Sequence, residues 1–271
     1  MKKWLSVCTL LFVGVLAIIV IQNFSAKTHF DSVHSASLSI GVERNYEPFS
    51  YVDANGELTG FDVQIADALC RRMNRFCTVQ PMVFHDLLPA LRNGQLDLVI
   101  AGVGQTPERS KEFAFSQTYY RSKSFFITSD PAFVGTPDEK IPQMIIGVQR
   151  GSLQELFVQN HYVARGAQML HYETYEAMLQ AINKGDINLI FSDGLPGYAI
   201  LKSASGLQLL IAGRPPLQMN APEDNSLTEA KIVARKKDTL LIEKINASLL
   251  QMQTEGEYQE LHARFFPFVT F

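Results

Sequence analysis

The sequence predicts an α/β fold of two lobes, each with a largely parallel sheet flanked by helices. Apolar strand-like runs alternate with amphipathic helical segments, which is typical of parallel sheets. This alternation runs through residues 37–109 and starts again at residue 143. Two such runs predict two lobes. The segments around 121–130 and 215–235 would join the lobes, so that two crossings form a hinge.

The first run predicts strands, a turn and helices in a regular order. Phe61, Ile65 and Leu69 recur at helical spacing, which predicts an amphipathic helix over residues 61–75. Asp86 is a candidate cap for a short helix that Gly94 ends. The remaining elements are strands at 37–42, 78–84 and 97–102, an Asn55-Gly56 turn between 49–52 and 58–60, and a helix opened by the cap pair Thr106 and Pro107.

The second run repeats this pattern and ends in two helices. The predicted strands are 143–149, 168–172, 187–192 and 207–211. The predicted helices are 152–160, 174–184, 197–203, 238–254 and 256–266. Gly185 would end the second of these helices.

The amino-terminal segment has the features of an export signal. Lys2 and Lys3 precede an uncharged apolar run from Trp4 to Ile21. This pattern predicts a signal peptide over residues 1–27, but the run approaches the length that spans a bilayer, so an uncleaved membrane anchor is the alternative. Residues 28–36 read as a polar linker. We therefore expect an exported, periplasmic protein, either free, membrane-anchored or surface-exposed.

The charge balance and the motif content exclude several functions. Beyond residue 27 the chain has 21 basic and 27 acidic side chains, which argues against nucleic acid or an anionic membrane as a main partner. The sequence contains no Gly-x-Ser-x-Gly elbow, P-loop or His-Glu-x-x-His motif. The histidines show no metal-ligand spacing. We therefore expect no catalytic residues, no cofactor and no metal.

Two cysteines, Cys70 and Cys77, follow the predicted leader. Export makes a disulfide between them the favoured interpretation. Two buried free thiols are the alternative.

In open α/β sheets, ligands bind beyond the carboxyl ends of the strands. After the strand that ends near Ile100, glycines at Gly102 and Gly104 would let a ligand approach the backbone. The helix opened by Thr106 favours an anion, and Arg109 in its first turn offers a planar fork for a carboxylate. An ordinary surface charge is the other reading of Arg109.

Other strand ends offer further candidates. Asp193 could accept hydrogen bonds from an ammonium group or could cap a helix. Residues 151–154 could offer backbone contacts or form a capping turn. Tyr46 and Phe84 could cover a ligand or belong to the core. Glu43 could pair with a cation or an amide, or remain solvated.

Several short motifs follow one another in a characteristic order: Gly60–Ala66, Cys70-x6-Cys77, Phe84–Leu91, Asp97–Arg109, Phe113–Ser116 with Tyr119-Tyr120, and Gly256–Phe266. Taken together, these motifs resemble the family 3 solute-binding proteins of polar amino-acid importers. The likeness spans roughly residues 38–268 and is strongest for the arginine-binding members. It implies a two-lobed type II periplasmic-binding-protein fold with mixed sheets and a two-strand hinge, a Cys70–Cys77 disulfide, and no enzymatic activity.

The resemblance also implies a role for each candidate site residue. Arg109 would clamp an α-carboxylate with help from backbone at Ala101, Gly102 and Gly104, and Asp193 would receive the α-ammonium. Tyr46 and Phe84 would form aromatic walls, and Glu43 would contact the ligand's side chain. Ser152, Leu153 and Gln154 would lie in the contact turn of the second lobe. The implied lobes are 37–124 with 220–271, and 125–219.

The predicted function is to bind a free amino acid and deliver it to an ABC permease in the inner membrane. Glu43 favours L-arginine or another cationic amino acid. The alternatives are a glutamine- or histidine-binding protein, or a dehydratase of the same fold that uses a cleft carboxylate as a general acid.

Overall fold

The computed structural model describes residues 37–135, 138–203, 208–213, 227 and 229–266. The predicted signal peptide or anchor and the predicted linker lie outside the described residues. The same is true of most of the segment between 214 and 228.

The first lobe contains a five-stranded mixed sheet in the order β4-β1-β5-β12-β6. β4, β1 and β5 are parallel, and β12 pairs antiparallel with both β5 and β6. The strands are β1 (Leu38–Glu43), β4 (Cys77–Met82), β5 (Leu98–Val103), β6 (Phe113–Arg121) and β12 (Glu229–Arg235).

The second lobe contains another five-stranded mixed sheet, in the order β11-β7-β10-β8-β9. β10, β8 and β9 are parallel, and β7 pairs antiparallel with both β10 and β11. The strands are β7 (Phe125–Thr128), β8 (Ile145–Gln149), β9 (Gln168–Tyr172), β10 (Leu189–Ser192) and β11 (Leu210–Gly213).

Helices and one hairpin complete the two lobes. The hairpin joins β2 (Tyr51–Val52) to β3 (Leu58–Thr59). The helices are α1 (Phe61–Arg72), α2 (Phe84–Arg92), α3 (Pro107–Glu112), α4 (Leu153–His161), α5 (Tyr175–Lys184), α6 (Gly194–Lys202), α7 (Thr239–Glu255) and α8 (Glu257–Phe265). Short 3-10 turns lie at Pro131–Phe133, Asp138–Gln143 and Val163–Arg165.

The side chains of β5 show why each sheet is covered on both faces. Leu98 and Ile100 join the apolar cluster that contains the buried side chains of α1. Val99, from the same strand, joins a separate cluster with Leu87 and Leu91 of α2. Because successive strand residues point to opposite faces, α1 and α2 cover opposite sides of the sheet. The predicted two-lobed α/β class is confirmed.

The segments expected to join the lobes are shorter than predicted. Residues 125–128 belong to β7 of the second sheet, and residues 229–235 belong to β12 of the first. The first crossing is therefore the short segment 122–124, and the return crossing lies between residues 213 and 229. The predicted segments overlap both crossings, but their bounds were too wide because these strands add to the sheets antiparallel, outside the parallel alternation on which the prediction was based.

The prediction that Asp86 caps a helix was also wrong. The helix α2 begins at Phe84, and its N-cap is Val83, whose backbone is extended. Phe84 is therefore the first helical residue and not the last residue of the preceding strand, which ends at Met82. Asp86 lies in the first turn, where its charge suits the positive end of the helix dipole.

The predicted disulfide is present. Cys70 near the end of α1 is bonded to Cys77, the first residue of β4, with their Cα atoms 6.2 Å apart. The bond ties an edge strand of the first sheet to the helix that covers it. Among the described residues, no helix has both the length and the apolar composition that crossing a membrane requires.

We predict that the double substitution Cys70→Ala with Cys77→Ala lowers the free energy of unfolding by about 2 kcal/mol, because opening a short loop restores entropy to the unfolded chain. Urea unfolding of the purified protein measures this loss. Reductant should destabilise the wild type to the same level and leave the double variant unchanged. A wild type that is insensitive to reductant would contradict the prediction.

Candidate ligand-binding site

A cavity of about 450 Å³, counting its open mouth, lies between the two sheets. Its walls come from the carboxyl ends of strands in both lobes, where ligands of open α/β sheets bind. Ten of the eleven residues predicted from the sequence line this cavity: Tyr46, Phe84, Ala101, Gly102, Gly104, Arg109, Ser152, Leu153, Gln154 and Asp193.

Arg109 is the one cationic side chain among the described residues that line the cavity. Thr106 caps α3 by accepting a hydrogen bond from the N–H of Arg109 at 3.1 Å, as the sequence predicted. The Arg109 guanidinium donates from Nη1 to the Gly104 carbonyl at 2.7 Å and from Nη2 to the Gly151 carbonyl at 2.8 Å. The second bond joins the two lobes.

Both hydrogen bonds of this guanidinium go to neutral carbonyl oxygens, so its positive charge is solvated but not neutralised. Burial lowers the pKa of Arg109 to about 10, because desolvation disfavours the charged form. The group stays protonated at neutral pH. A carboxylate entering the cavity would meet a charged, partly desolvated donor.

Gly102 allows a tyrosine to approach the backbone at the cavity wall. Its φ is +63°, and a Cβ at this position would lie 2.5 Å from the Tyr120 hydroxyl oxygen. Its N–H donates to the Tyr119 hydroxyl at 3.0 Å. The Gly102 N–H is therefore engaged within the protein, which differs from the ligand contact that the resemblance implied for this backbone. The Gly104 carbonyl is likewise used to hold Arg109.

The Tyr119 hydroxyl connects this wall to α1. It donates to Oδ1 of Asp62 at 2.8 Å while accepting from Gly102. Asp62 is fully buried, and its Oδ2 has no hydrogen-bond partner among the described residues. Burial raises the pKa of Asp62 well above its usual value. A polar chain buried in the core thus fixes the position of Gly102.

Asp193 occupies the N-cap position of α6 but does not cap it with its side chain. Its Oδ2 instead accepts a hydrogen bond from the Tyr120 hydroxyl at 3.2 Å, across the two lobes. Its Oδ1 is buried without a hydrogen-bond partner in the described part of the chain. Desolvation raises the pKa of Asp193, and the hydrogen bonds from Ser122 and Tyr120 oppose that rise. The carboxylate is therefore an acceptor with unused capacity.

Glu43, the eleventh predicted residue, lies behind the cavity wall at the end of β1. It is 2% exposed, and its Oε1 accepts a hydrogen bond from Nε2 of Gln149, a residue that lines the cavity. Its Oε2 is buried and has no hydrogen-bond partner among the residues described. Desolvation by burial raises the pKa of Glu43 well above its usual value. The alternative that Glu43 remains solvated is therefore wrong.

Aromatic rings form one wall of the cavity. The buried Tyr46 ring stacks on Phe49 with centroids 5.0 Å apart. On its other side it meets Tyr175 of the second lobe at 5.3 Å. Phe84 is only half-buried, at the start of α2. Tyr46 therefore serves the core and the cavity at once, whereas Phe84 has free surface.

The turn before α4 caps the helix and also contacts a distant segment of the chain. The Ser152 hydroxyl accepts from the N–H of Glu155 at 3.1 Å, so it caps the helix. Gln154 donates from Nε2 to the Ser124 hydroxyl at 3.0 Å, which ties the turn to the first crossing segment. Leu153 lines the cavity between them.

Six further cavity residues were not predicted as site residues: Tyr120, Gln149, Tyr175, Leu227, Glu229 and Ala230. Gln149 is the last residue of the predicted strand 143–149. Because ligands of open α/β sheets bind at the carboxyl ends of strands, the sequence could have identified it as a site residue. Glu229 and Ala230 lie on β12, which the sequence analysis assigned to a connection.

These features define a class of protein. Two α/β lobes enclose a cavity whose walls carry a desolvated cation and a desolvated anion, neither of them neutralised by the other. Such a cavity suits a small molecule with charges of both signs. The architecture is that of a two-lobed binding protein for a small dipolar solute.

Comparisons with known proteins agree with this class. Residues 38–268 match the sequence profile of the bacterial extracellular solute-binding proteins, family 3, and the chain belongs to this family. It is 28% identical to ABC transporter arginine-binding protein 1 of Escherichia coli K12, over 92% of this chain and 98% of that protein. It is 31% identical to the arginine-binding periplasmic protein of Mannheimia haemolytica, over 82% of this chain and 88% of that protein.

Similarity extends to solved structures. The structure of an ancestral arginine-binding protein bound to arginine superposes with a TM-score of 0.76 at 27% identity, covering 85% of this chain and 98% of that one.

We predict that Gly102→Ala lowers the free energy of unfolding by more than about 2 kcal/mol, because the new methyl group combines left-handed strain with the contact to Tyr120. Gly94→Ala is the matched control. Its φ is also positive, at +76°, but an added Cβ there meets no atom within 4 Å. Chemical denaturation compares the two variants, and equal losses would show that the Tyr120 contact is unimportant.

Proposed function

We propose that this protein binds a free amino acid, L-arginine or another cationic one, between its lobes and delivers it to an ABC importer. The main supporting observation is that Arg109 and Asp193 line one cavity from different lobes. Among the described residues, no group of opposite sign neutralises either of them. An α-amino acid zwitterion supplies both missing charges. The relatives named as arginine-binding proteins support this assignment.

The two charges suggest a pose for the ligand. The α-carboxylate accepts hydrogen bonds from the Arg109 guanidinium, and the α-ammonium donates to the unpartnered Oδ1 of Asp193. Hydrogen bonds to charged groups contribute about 1.5–3 kcal/mol each. A few of them, with aromatic contact, are sufficient for micromolar affinity, which corresponds to about 8 kcal/mol.

The ligand side chain extends toward the carboxylate of Glu43 in this proposal. Half-buried Phe84 offers its ring to a planar cation, and Tyr46 lines the same cavity while its ring packs between Phe49 and Tyr175. Behind this wall, the buried Oε2 of Glu43 has no partner among the described residues and would be the acceptor. A guanidinium satisfies both requirements. A carboxamide also satisfies a lone acceptor, so glutamine is the second candidate ligand, but it brings no charge to compensate buried Glu43.

Several of the remaining residues would shape the cavity without contacting the ligand through polar side chains. Ala101, Gly102 and Gly104 are small and leave space beside Arg109. Ser152, Leu153 and Gln154 close the cavity from the second lobe. We propose lobe limits of 37–124 with 220–271, and 125–219, because the first crossing lies between β6 and β7.

Binding would favour the arrangement in which the lobes meet. A ligand shifts a conformational equilibrium only through its different affinity for the two states. A zwitterion can contact Arg109 and Asp193 at the same time only when the lobes meet. It therefore binds this closed arrangement more tightly than an open one, in which it contacts one lobe. The permease would then recognise the closed protein. We infer a binding protein rather than an enzyme, exported to the periplasm either free or anchored by residues 1–27.

We predict that Arg109→Ala weakens the binding of every amino acid by more than about a hundredfold, since two charged hydrogen bonds are lost. Isothermal titration calorimetry on the purified protein measures this loss. Arg92→Ala is the control, because Arg92 is an exposed arginine paired with Glu112 outside the cavity. A loss below about tenfold for Arg109→Ala would refute the carboxylate clamp.

We predict tighter binding of L-arginine than of L-glutamine. The physical reason is that a cation compensates the desolvated Glu43 carboxylate, whereas a carboxamide does not. Competitive titration calorimetry of the wild type with both ligands decides the order. Tighter glutamine binding would overturn the assignment to cationic amino acids and favour the second candidate.

A further inference from the structure

An ion-pair cluster joins the two lobes beside the ligand cavity. His85 is the second residue of α2 in the first lobe, and Glu173 follows β9 in the second. Nδ1 of His85 lies 2.8 Å from Oε2 of Glu173. Oε1 of Glu173 accepts a hydrogen bond from Nε of Arg150 at 2.9 Å, within the second lobe. None of these three residues belongs to the described set that lines the cavity, so the cluster lies outside the proposed binding site.

The cluster is next to the turn that contacts Arg109. Gly151 has a φ of +76°, and a Cβ added there would lie 3.1 Å from Cβ of His85, so the two residues are packed together. The carbonyl of Gly151 accepts a hydrogen bond from Nη2 of Arg109. Arg150, which holds Glu173, directly precedes Gly151. A contact between His85 and Glu173 therefore fixes the turn whose carbonyl orients the proposed carboxylate clamp.

The strength of the His85–Glu173 contact depends on the charge of His85. Nδ1 of His85 is buried and has no hydrogen-bond partner among the described residues, so the contact is an ion pair without hydrogen-bond alignment. Such a contact gains its energy from the attraction of opposite charges. Histidine acquires its positive charge as the pH falls from about 8 to about 5. The contact is therefore attractive at low pH and is lost as the pH rises.

The charged groups around His85 act in both directions. Glu173 and Asp86, whose Oδ1 lies 3.3 Å from Nε2 of His85, favour the charged imidazole. The positive end of the α2 dipole opposes it, because His85 lies in the first turn. Arg150 also opposes it but is paired with Glu173. The backbone of Gly151 beside His85 is bonded to one further cation and one further anion, Arg109 and Glu155.

We propose that His85 is a positioning residue whose protonation strengthens closure of the two lobes on the ligand. The His85–Glu173 contact exists only while the lobes meet, so a charged His85 increases the share of the closed arrangement. The apparent affinity for the ligand rises with that share. By reciprocity, ligand binding favours protonation of His85. The inference rests on the proposed function, because closure around a bound solute is the step on which His85 acts.

His171 provides a matched control within one lobe. Its Nε2 lies 2.9 Å from Oε1 of Glu155, and its side chain is 31% exposed, against 33% for His85. His171 is in β9 and Glu155 is in α4, and both elements belong to the second lobe. Protonation of His171 therefore strengthens a similar ion pair that is present in the open and the closed arrangement alike.

The test compares L-arginine affinity at about pH 5.5 and about pH 8 by isothermal titration calorimetry. Burial raises the pKa of both Glu43 and Asp193, so the quantity compared between variants is the ratio of the two affinities. We expect this ratio to favour pH 5.5 by about threefold more in the wild type than in His85→Gln, a size typical of a partly exposed ion pair. Glu173→Gln should match His85→Gln, and the double variant should show no further change. His171→Gln should keep the wild-type ratio.

Small-angle X-ray scattering of the ligand-free protein gives a readout that needs no ligand. We expect a smaller radius of gyration at about pH 5.5 than at about pH 8 in the wild type, because charged His85 draws the lobes together. The change should be smaller in His85→Gln and unaltered in His171→Gln. Equal changes in the wild type and His85→Gln would contradict the inference.

The outcomes separate this inference from the proposed function. A wild type that binds no amino acid at either pH would refute the proposed function, and the scattering comparison would still decide the role of His85. A wild type that binds arginine with the same affinity ratio as His85→Gln would refute the role of His85 alone. An equal loss of affinity at both pH values in His85→Gln would refute it as well, because that result indicates a packing contribution that does not depend on charge.

Discussion

The structure depends on buried ionisable groups that no described residue of opposite charge neutralises. Arg109 donates to two backbone carbonyls, Asp193 accepts from a tyrosine hydroxyl, and Glu43 accepts from an amide. Each group has only neutral dipoles to stabilise its ionised form, and burial shifts each pKa toward the neutral form. A charge buried without a counter-charge costs several kcal/mol, and a ligand with complementary charges removes that penalty. The ligand thus gains binding free energy by removing the cost of these buried, uncompensated groups.

These groups lie at the junction of the two lobes, which share one apolar cluster. Arg109 donates to Gly151, Tyr120 donates to Asp193, and Gln149 donates to Glu43, each across the lobes. The Tyr46 and Tyr175 rings also meet across the lobes, so the junction has apolar as well as polar contacts. A ligand biases an equilibrium between arrangements of the lobes only by the difference in its affinity for them.

The parallel parts of both sheets were predictable from sequence, and so was part of the antiparallel strand β11, whereas the antiparallel strands β6, β7 and β12 were not. β5 is a continuous apolar run, and β8 is apolar up to its last residue, Gln149, which is the usual pattern of a strand buried on both faces. β6 and β12 lack a regular alternation of buried and exposed residues, and their pairing shifts register between Ala230 and Val233. Irregular pairing removes the period of two on which strand prediction relies.

For the site, the sequence by itself determined which residues stand at strand ends and helix starts. Thr106 as a cap and Arg109 in the first turn follow from local backbone geometry, which nearby residues decide. Tertiary structure alone decided that Gln149 meets Glu43, that Asp193 accepts from Tyr120 instead of capping α6, and that Tyr119 takes the N–H of Gly102. The first two pairs are 106 and 73 residues apart in the chain and lie in different lobes. Only the packing of one lobe against the other brings such groups within hydrogen-bond distance.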